Sequence, residues 1–340
     1  MNRLKKIIFR VDCNKHIGFG HISRCLNLSK LFIKKKVKIF FIIKNFGDKY
    51  YPNIPKEIKI IKINKDLKKK NEGKIIKDIF YKEQCDLVIL DIDYLYNYSK
   101  NENNLLILEL SEIKKKIICW DNLHGKNVNF LATYRPYPKF INLGNINKNS
   151  KKIVGLNYLY FSNDVKKKNI KKIVKNIAIS LGGTNTLKKI KYIINTIIDF
   201  NLNVNIYIFI VNKNDYLILK KNFLVGKKNI KVLFRSKNIN NIYRKLDLAI
   251  VSGGMSKYEA FIHKIPNMII NLNQQQKNIN SKIQKKKLGI IVNNLSLFDK
   301  YFWTLVNNFE LRRSISTNCQ KLRKGYNENI IYKKFEKLIK

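Results

Sequence analysis

The residues best suited to chemistry in this sequence lie between Asp12 and Arg24, where a histidine follows two glycines. Gly18 and Gly20 permit a tight loop with positive φ and the close approach of a ligand. His21 stands at the predicted start of a helix, where free backbone N–H groups favour an anion and the helix dipole disfavours a cationic side chain. We therefore expect His21 to be neutral and to act as a general base.

Arg24 lies three residues after His21 and shares roughly the same helix face. Its guanidinium is suited either to bind a phosphate or to pair with Asp12. The same residues also have a purely structural interpretation, in which the glycines form a tight turn and His21 is a polar residue of the first helical turn. A single Gly-x-Gly-His pattern does not decide between these interpretations.

The elements that would position these residues alternate regularly along the first half of the chain. An apolar run, residues 7–9, precedes the glycine loop, and apolar residues at helical spacing follow it. Strands that alternate with helices predict a parallel sheet covered by helices. The predicted strands are residues 37–44, 58–63, 86–91 and 116–121, and the predicted helices are residues 71–84 and 105–113.

Two of these strands end in an aspartate, Asp91 and Asp121. Because ligands bind beyond the carboxyl ends of strands in open α/β sheets, we expect both to line one cleft with His21. Asp91-Ile92-Asp93 also has the form of a metal-binding Asp-x-Asp pair. No histidine or glutamate at ligand spacing supports that alternative, so we expect no metal.

The second half of the chain repeats the strand and helix pattern after an irregular segment, residues 130–149, and a polar linker, residues 162–175. We therefore predict two domains, residues 1–160 and 161–340. The predicted strands are residues 176–181, 205–211, 230–234, 247–251, 265–271 and 289–292. The predicted helices include residues 187–199, 215–223, 239–246 and 274–287, with further helices to the end.

Two Gly-Gly loops follow predicted strands of the second half. Their N–H groups and hydroxyls are suited to a pyrophosphate, and a glutamate one helical turn beyond the second loop is suited to accept both hydroxyls of a ribose. Glycines that simply form turns are the alternative. The candidate nucleotide-binding residues are Gly182, Gly183, Thr184, Ser252, Gly253, Gly254, Met255, Ser256 and Glu259.

Composition limits the choice of partners. The formal net charge is +46, but the lysines are spread over the whole length and do not cluster with aromatics, so we expect solvated faces rather than a nucleic-acid partner. No apolar run reaches the roughly 18 residues of a membrane helix, and we expect no stable membrane insertion. The five cysteines are scattered, which predicts a cytoplasmic protein without disulfides. We expect a monomer that needs no cofactor.

The first motif, Arg10-x-Asp12 followed by Ile17-Gly18-Phe19-Gly20-His21-x-x-Arg24, resembles the N-terminal signature of a known hydrolase family. These are the UDP-2,4-diacetamido-2,4,6-trideoxy-β-L-altropyranose hydrolases of pseudaminic acid synthesis, within the wider spore-coat polysaccharide biosynthesis protein G group. Ser180-Leu181-Gly182-Gly183-Thr184 is similar to that family's Gly-Gly-Thr loop. Ser252-Gly253-Gly254-Met255-Ser256-x-x-Glu259-Ala260 is similar to its nucleotide loop and to the donor loop of the peptidoglycan GlcNAc transferase. The likeness runs from about residue 6 to 293.

The resemblance implies a GT-B fold, with two Rossmann-like domains that face a cleft. It implies metal-free hydrolysis of a UDP-sugar at the anomeric C–O bond with inversion, which releases UDP and free sugar. His21 would activate water, aided by Asp12 and Arg24, while Arg10, Gly18, Gly20 and Asp91 would bind substrate.

The sequence departs from the family at Asp121-Asn122, where an acidic pair is usual, at Asp91-Ile92-Asp93-Tyr94, which is one residue longer, and after residue 293. These departures bear on the identity of the sugar. A GT-B glycosyltransferase that uses a UDP-sugar donor in surface polysaccharide synthesis is the alternative function. A non-catalytic basic binding protein is the third.

Overall fold

The structure is a computed structural model that describes residues 4–14, 17–45, 54–92, 100–121, 130–141, 150–161, 169–182, 186–223, 228–236 and 239–339. The chain divides into two compact units. The first comprises Met1–Lys139, Leu143–Ser162 and Gly325–Lys340, and the second comprises Phe140–Asn142 and Asn163–Lys324.

The first unit is built on a parallel sheet. Its strands are β1 (Lys6–Val11), β2 (Lys38–Lys44), β3 (Ile58–Ile63), β4 (Leu87–Asp91), β5 (Ile117–Trp120), β6 (Ala132–Arg135) and β7 (Lys151–Val154). Its first helices are α1 (Gly20–Lys34), α2 (Lys69–Lys82) and α3 (Lys100–Glu109). Over the described residues the strand order is β3-β2-β1-β4-β5-β6-β7. The central strands are almost wholly buried, as expected for a parallel sheet covered on both faces.

Strand register brings the loop after β1 beside the ends of β4 and β5. Val11, the last residue of β1, pairs with Asp91, the last residue of β4. Leu90 of β4 in turn pairs with Cys119 of β5. The carboxyl ends of these three strands therefore lie together at one edge of the sheet, as the sequence predicts.

The second unit contains another parallel sheet. Its strands are β8 (Asn176–Ser180), β9 (Asn205–Ile210), β10 (Ile230–Phe234), β11 (Leu248–Ser252), β12 (Asn267–Ile270) and β13 (Ile290–Val292). Its helices are α4 (Leu187–Asp199), α5 (Lys213–Phe223), α6 (Ile239–Lys245), α7 (Ser256–Ile262), α8 (Gln274–Asn280), α9 (Phe298–Asn307) and α10 (Phe309–Lys321). Across the part of the chain described, the order is β10-β9-β8-β11-β12-β13. In both units the order reverses beside the first strand, which is the usual place for a ligand in such sheets.

The last helix, α11 (Glu328–Ile339), belongs to the first unit, whereas the sequence predicts residues 161–340 in the second. Phe335 packs edge-on against Phe32 of α1, with ring centroids 5.2 Å apart, and against Tyr134 of β6 at 5.3 Å. These contacts join residues about 200 to 300 positions apart, and no local pattern predicts such packing.

Two other predictions differ from the structure. Residues 130–149, which the sequence predicts to be irregular, contain β6, a short strand that ends just before Pro136. Strand β7 follows this segment and begins with two exposed lysines. The helix predicted over residues 274–287 ends at Asn280, because residues 281–287 bury only Ile283 and lack a continuous apolar face.

Candidate active site

The loop between β1 and α1 has the geometry that its glycines predict. Gly18 has a φ of +76°, and its N–H donates to the Asn14 carbonyl over 2.8 Å. The Asn14 side chain accepts from the N–H of Ile17 over 2.8 Å, which fixes the turn from within. Helix α1 then begins at Gly20, so His21 is its second residue. The structure thus places His21 in the first helical turn, where the sequence predicts it.

His21 forms a hydrogen bond with the carboxylate at the end of β4. Its Nδ1 lies 2.7 Å from Asp91 Oδ1. Burial opposes ionisation of Asp91, yet the neighbouring charge of Arg24 and the contact with His21 hold the pKa of that carboxyl well below its usual range. Because an ionised carboxylate only accepts, we assign the imidazole proton to Nδ1. In the neutral ring, the basic lone pair then lies on Nε2, as a general base requires.

Arg24 holds this carboxylate in place. Its Nε and Nη2 donate to Asp91 Oδ2 and Oδ1 over 2.7 Å and 2.5 Å. Its Nη1 donates to Asp121 Oδ2 over 2.9 Å and to the Tyr137 hydroxyl over 2.5 Å. The guanidinium carbon also lies 4.8 Å above the centre of the Trp120 ring. These bonds commit most of the guanidinium donors to the protein, so the arrangement favours a positioning role over the predicted phosphate binding.

Asp12 pairs with Arg10 rather than with Arg24, which corrects one of the predicted alternatives. Arg10 Nη1 and Nη2 each donate to one oxygen of Asp12 over 2.7 Å, and Arg10 Nε donates to Glu72 over 2.9 Å. Arg10 is fully buried and Asp12 is 2% exposed. Their burial favours a structural role over the predicted catalytic and substrate-binding roles. Arg10 is in β1 and Asp12 follows its last residue, Val11. The two-residue spacing, which places side chains on one face of an extended chain, is the sequence signal for this pair.

In the second unit, the two predicted glycine loops leave neighbouring strands. Strand β8 pairs with β11, with Ser180 beside Val251, so both loops start at one edge of the sheet. The Ser180 hydroxyl donates to that of Ser256 over 3.4 Å and joins the loops. Gly182 has a φ of +89°, a conformation that favours glycine. Gly183 and Thr184 lie outside the described residues, as does Asp93 of the proposed Asp-x-Asp pair.

The backbone N–H of Gly253 is not available to donate to a pyrophosphate, contrary to the prediction. Its N–H donates to the Ile270 carbonyl over 2.9 Å, so that group is already used. A Cβ at this position would lie 2.4 Å from side-chain atoms of both Asn271 and Asn280. Its carbonyl accepts from Lys257 Nζ over 2.5 Å and from Asn280 over 3.1 Å. Lys257 and Asn280 thus shape the loop, and sequence spacing gives no sign of either.

The remaining residues of the second loop stay predictions as ligand contacts. Ser252 is buried at the end of β11, and Gly254 and Met255 lead into α7, which starts at Ser256. Lys257 Nζ also donates to the Gly254 carbonyl over 3.1 Å, which fixes the last turn before the helix.

Glu259, on α7, is linked to a buried tyrosine whose role no sequence pattern indicates. The Tyr243 hydroxyl donates to Glu259 Oε2 over 2.9 Å, and the Tyr243 ring lies 5.0 Å from that of His263. Burial raises the pKa of Glu259 to about 7, which the hydrogen bond from Tyr243 partly offsets. Glu259 therefore changes charge near neutral pH.

Within the described ranges, no group of three or more histidine, cysteine, aspartate or glutamate side chains is arranged to hold a metal ion. The five cysteines are buried, and none of them is in a disulfide. Among the helices described, none is long and apolar enough to cross a membrane.

No protein-family model matches this chain. The uncharacterised protein MJ1062 of Methanocaldococcus jannaschii is 25% identical over 298 residues, which cover 83% of this chain and 58% of that protein. The chain therefore spans less than two thirds of the length of this relative.

Solved structures resemble the chain over nearly its whole length. MurG of Acinetobacter baumannii matches 98% of this chain and 99% of its own, with 12% identity and a TM-score of 0.62. The glycotransferase of kitacinnamycin matches 99% and 100%, with 10% identity and a TM-score of 0.67. MnaA of S. aureus, solved with UDP, matches 96% and 95%, with 12% identity and a TM-score of 0.64. With the two parallel sheets, these likenesses confirm the predicted fold: the chain has the GT-B architecture.

Proposed function

We propose that this chain is an enzyme that breaks the bond between the anomeric carbon of a sugar and the diphosphate of UDP. The observation that carries the proposal is the hydrogen bond from His21 to the ionised Asp91. This bond directs the imidazole proton to Nδ1 and leaves Nε2 to take a proton from an attacking O–H group. The attacking oxygen bonds to the anomeric carbon as UDP leaves with the electron pair, and the configuration inverts.

The second unit would hold the nucleotide. Its two loops leave adjacent strands at the switch in strand order, where ligands of such sheets bind. Solved proteins of similar fold include MnaA with UDP and a spinosyn rhamnosyltransferase with thymidine diphosphate. We assign the pyrophosphate to the Gly182-Gly183-Thr184 loop and to the residues Gly254, Met255 and Ser256. We assign the ribose hydroxyls to Glu259.

The identity of the nucleophile separates two versions of this proposal. Some solved structures of similar fold are transferases, such as the kitacinnamycin glycotransferase and the spinosyn rhamnosyltransferase. These favour an alcohol acceptor, and hence glycosyl transfer. Water, and hence hydrolysis of a diacetamido-trideoxy sugar nucleotide, is favoured by the motif from Ile17 to Arg24. Both versions use the same base and the same leaving group.

Incubation with UDP-linked sugars in the absence of any acceptor distinguishes the two versions. The panel includes UDP-GlcNAc and UDP-linked diacetamido sugars, and mass spectrometry measures UDP and free sugar. We expect steady release of both products with an inverted anomeric centre, seen by NMR, if water is the nucleophile. Release of UDP only after an alcohol acceptor is added supports transfer. A protein that neither binds UDP nor releases it contradicts the proposal.

The ionisation of Glu259 gives a prediction for binding. Affinity for a UDP-linked sugar, whose diphosphate diester has no second ionisation near neutrality, is expected to increase by about tenfold as the pH rises through 7, because the Glu259 anion is the stronger hydrogen-bond acceptor. Tyr243→Phe removes a hydrogen bond to that anion and should move the increase to higher pH. Calorimetric titration at several pH values measures both effects. A profile that is flat, or unchanged in Tyr243→Phe, contradicts the role of this pair.

A further inference from the structure

Side chains that meet at the Arg24 guanidinium differ sharply in their access to solvent. Asp91 is 1% exposed and Arg24 is 8% exposed, and Tyr137 is also buried. By contrast, His21 is 23% exposed and Asp121 is 30% exposed. A molecule that approaches this cluster can therefore reach the imidazole of His21 and the carboxylate of Asp121 most directly.

Asp121 and His21 lie against the two ends of the same guanidinium. Arg24 Nη1 donates to Asp121 Oδ2 over 2.9 Å, and Arg24 Nη2 lies 3.2 Å from His21 Nδ1. Arg24 thus fixes the position of the carboxylate relative to the imidazole. A sugar whose reacting carbon lies near the His21 base would have its substituents within reach of Asp121.

The backbone of Asp121 has a left-handed conformation. Its φ is +65°, and six other non-glycine residues in the described part of the chain also have positive φ, which aspartate tolerates better than most residues. The conformation is fixed from both sides, because the Asp121 N–H donates to the Tyr134 carbonyl over 3.0 Å and its carbonyl accepts from Arg135 Nε over 3.4 Å. These two bonds fix the backbone from which the Asp121 side chain projects.

The Asp121 carboxylate also retains unused acceptor capacity. Oδ1 is buried, so a substrate can approach this carboxylate only at Oδ2, which accepts from Arg24 among the residues that the structure describes. Each carboxylate oxygen offers about two lone-pair positions, so the bond from Arg24 leaves one of them open on Oδ2.

We propose that Asp121 is a second substrate-contacting residue of this site, which accepts a hydrogen bond from a neutral O–H or N–H group of the sugar. A hydroxyl or the N–H of an acetamido group meets this requirement, whereas a carboxylate or phosphate substituent at that position is repelled. Arg24, Asp91 and Tyr137 act only as positioning residues. This inference rests on the proposed function, because it names a substrate contact of that reaction.

The test compares Asp121→Asn with the unchanged protein in UDP-sugar turnover and in UDP binding. Asparagine keeps the shape and can keep the bond to Arg24 through its carbonyl oxygen, but this neutral oxygen is a weaker acceptor than a carboxylate oxygen. We expect KM for the UDP-sugar to rise about 5- to 10-fold, the difference between a hydrogen bond to a charged group and one to a neutral group. The Kd of UDP alone should stay within about twofold, since UDP carries no sugar.

Two further variants serve as controls for misfolding and for the general effect of removing an aspartate. Asp121→Gly removes the carboxylate and relieves the positive φ, so it should fold and show a larger rise in KM than Asp121→Asn, because no side-chain acceptor remains. Asp86→Asn changes an aspartate just before β4, where its carboxylate binds the Lys5 and Lys6 N–H groups, and should leave KM unchanged.

A fall in kcat with unchanged KM in Asp121→Asn and Asp121→Gly would show that Asp121 only supports Arg24 and would overturn the proposal. Unchanged kcat and KM in both variants would overturn it as well. If the unchanged protein binds UDP but releases none from a UDP-sugar, either in water alone or with an alcohol acceptor, the proposed function fails before any variant is compared, so the two failures are distinguishable.

Discussion

His21→Ala is expected to lower turnover by about 10²- to 10⁴-fold while UDP affinity stays nearly unchanged. The imidazole is held by Asp91 at 2.7 Å, and it belongs to the first unit, whereas the residues assigned to UDP belong to the second. Loss of the base therefore affects the chemical step and leaves the nucleotide contacts intact. Steady-state kcat for UDP release and calorimetric Kd for UDP measure the two quantities separately.

His21→Gln is the matched variant for this prediction. Its amide N–H can still donate to Asp91 and so preserve the hydrogen bond, but glutamine cannot take a proton. We expect the same loss of turnover, because glutamine cannot serve as the base. Turnover restored in His21→Gln, or UDP affinity that falls as much as the rate does, contradicts the assignment.

The local part of the candidate site was predictable because it depends on neighbours in sequence. Glycine at positions 18 and 20 followed by an apolar helical pattern is enough to place His21 in a first helical turn. The placement of Asp91 beside this loop follows from the rule for strand ends in parallel sheets, and the pairing of Val11 with Asp91 agrees with it.

The partners of Arg24 were not predictable, because three acidic residues at strand ends compete for one guanidinium. The choice between Asp12, Asp91 and Asp121 depends on the sheet order and on which face each side chain takes. Arg24 reaches carboxylates 67 and 97 residues away, whereas Asp12 is bound by Arg10, two residues before it. Contacts over such separations are set by tertiary packing, as for helix α11 on the first unit.

A buried ionic network that includes Arg10 gives the other large effect. Glu72 accepts from Arg10 Nε over 2.9 Å and from Lys69 Nζ over 3.1 Å, and Lys44 Nζ lies 3.8 Å away. Glu72 is fully buried, and although burial opposes its ionisation, Arg10 and Lys69 hold its pKa below the usual range. Glu72→Gln should therefore lower the free energy of unfolding of the first unit by about 3–5 kcal/mol, because the cations lose their counter-charge.

Urea unfolding in a Trp303→Phe background measures this loss, because Trp120, the other of the two tryptophans, then reports on the first unit alone. Glu83→Gln, which breaks an exposed pair with Lys59, is the control and should leave the urea midpoint unchanged. Equal stability of Glu72→Gln and Glu83→Gln would mean that the network contributes nothing beyond an exposed pair.

Burial lowers the pKa of Lys69 from 10.5 to about 8. Between these values the unfolded chain binds more protons than the folded chain, so the free energy of unfolding rises with pH. Without Glu72 the Lys69 pKa falls further, and this rise in stability should begin at lower pH.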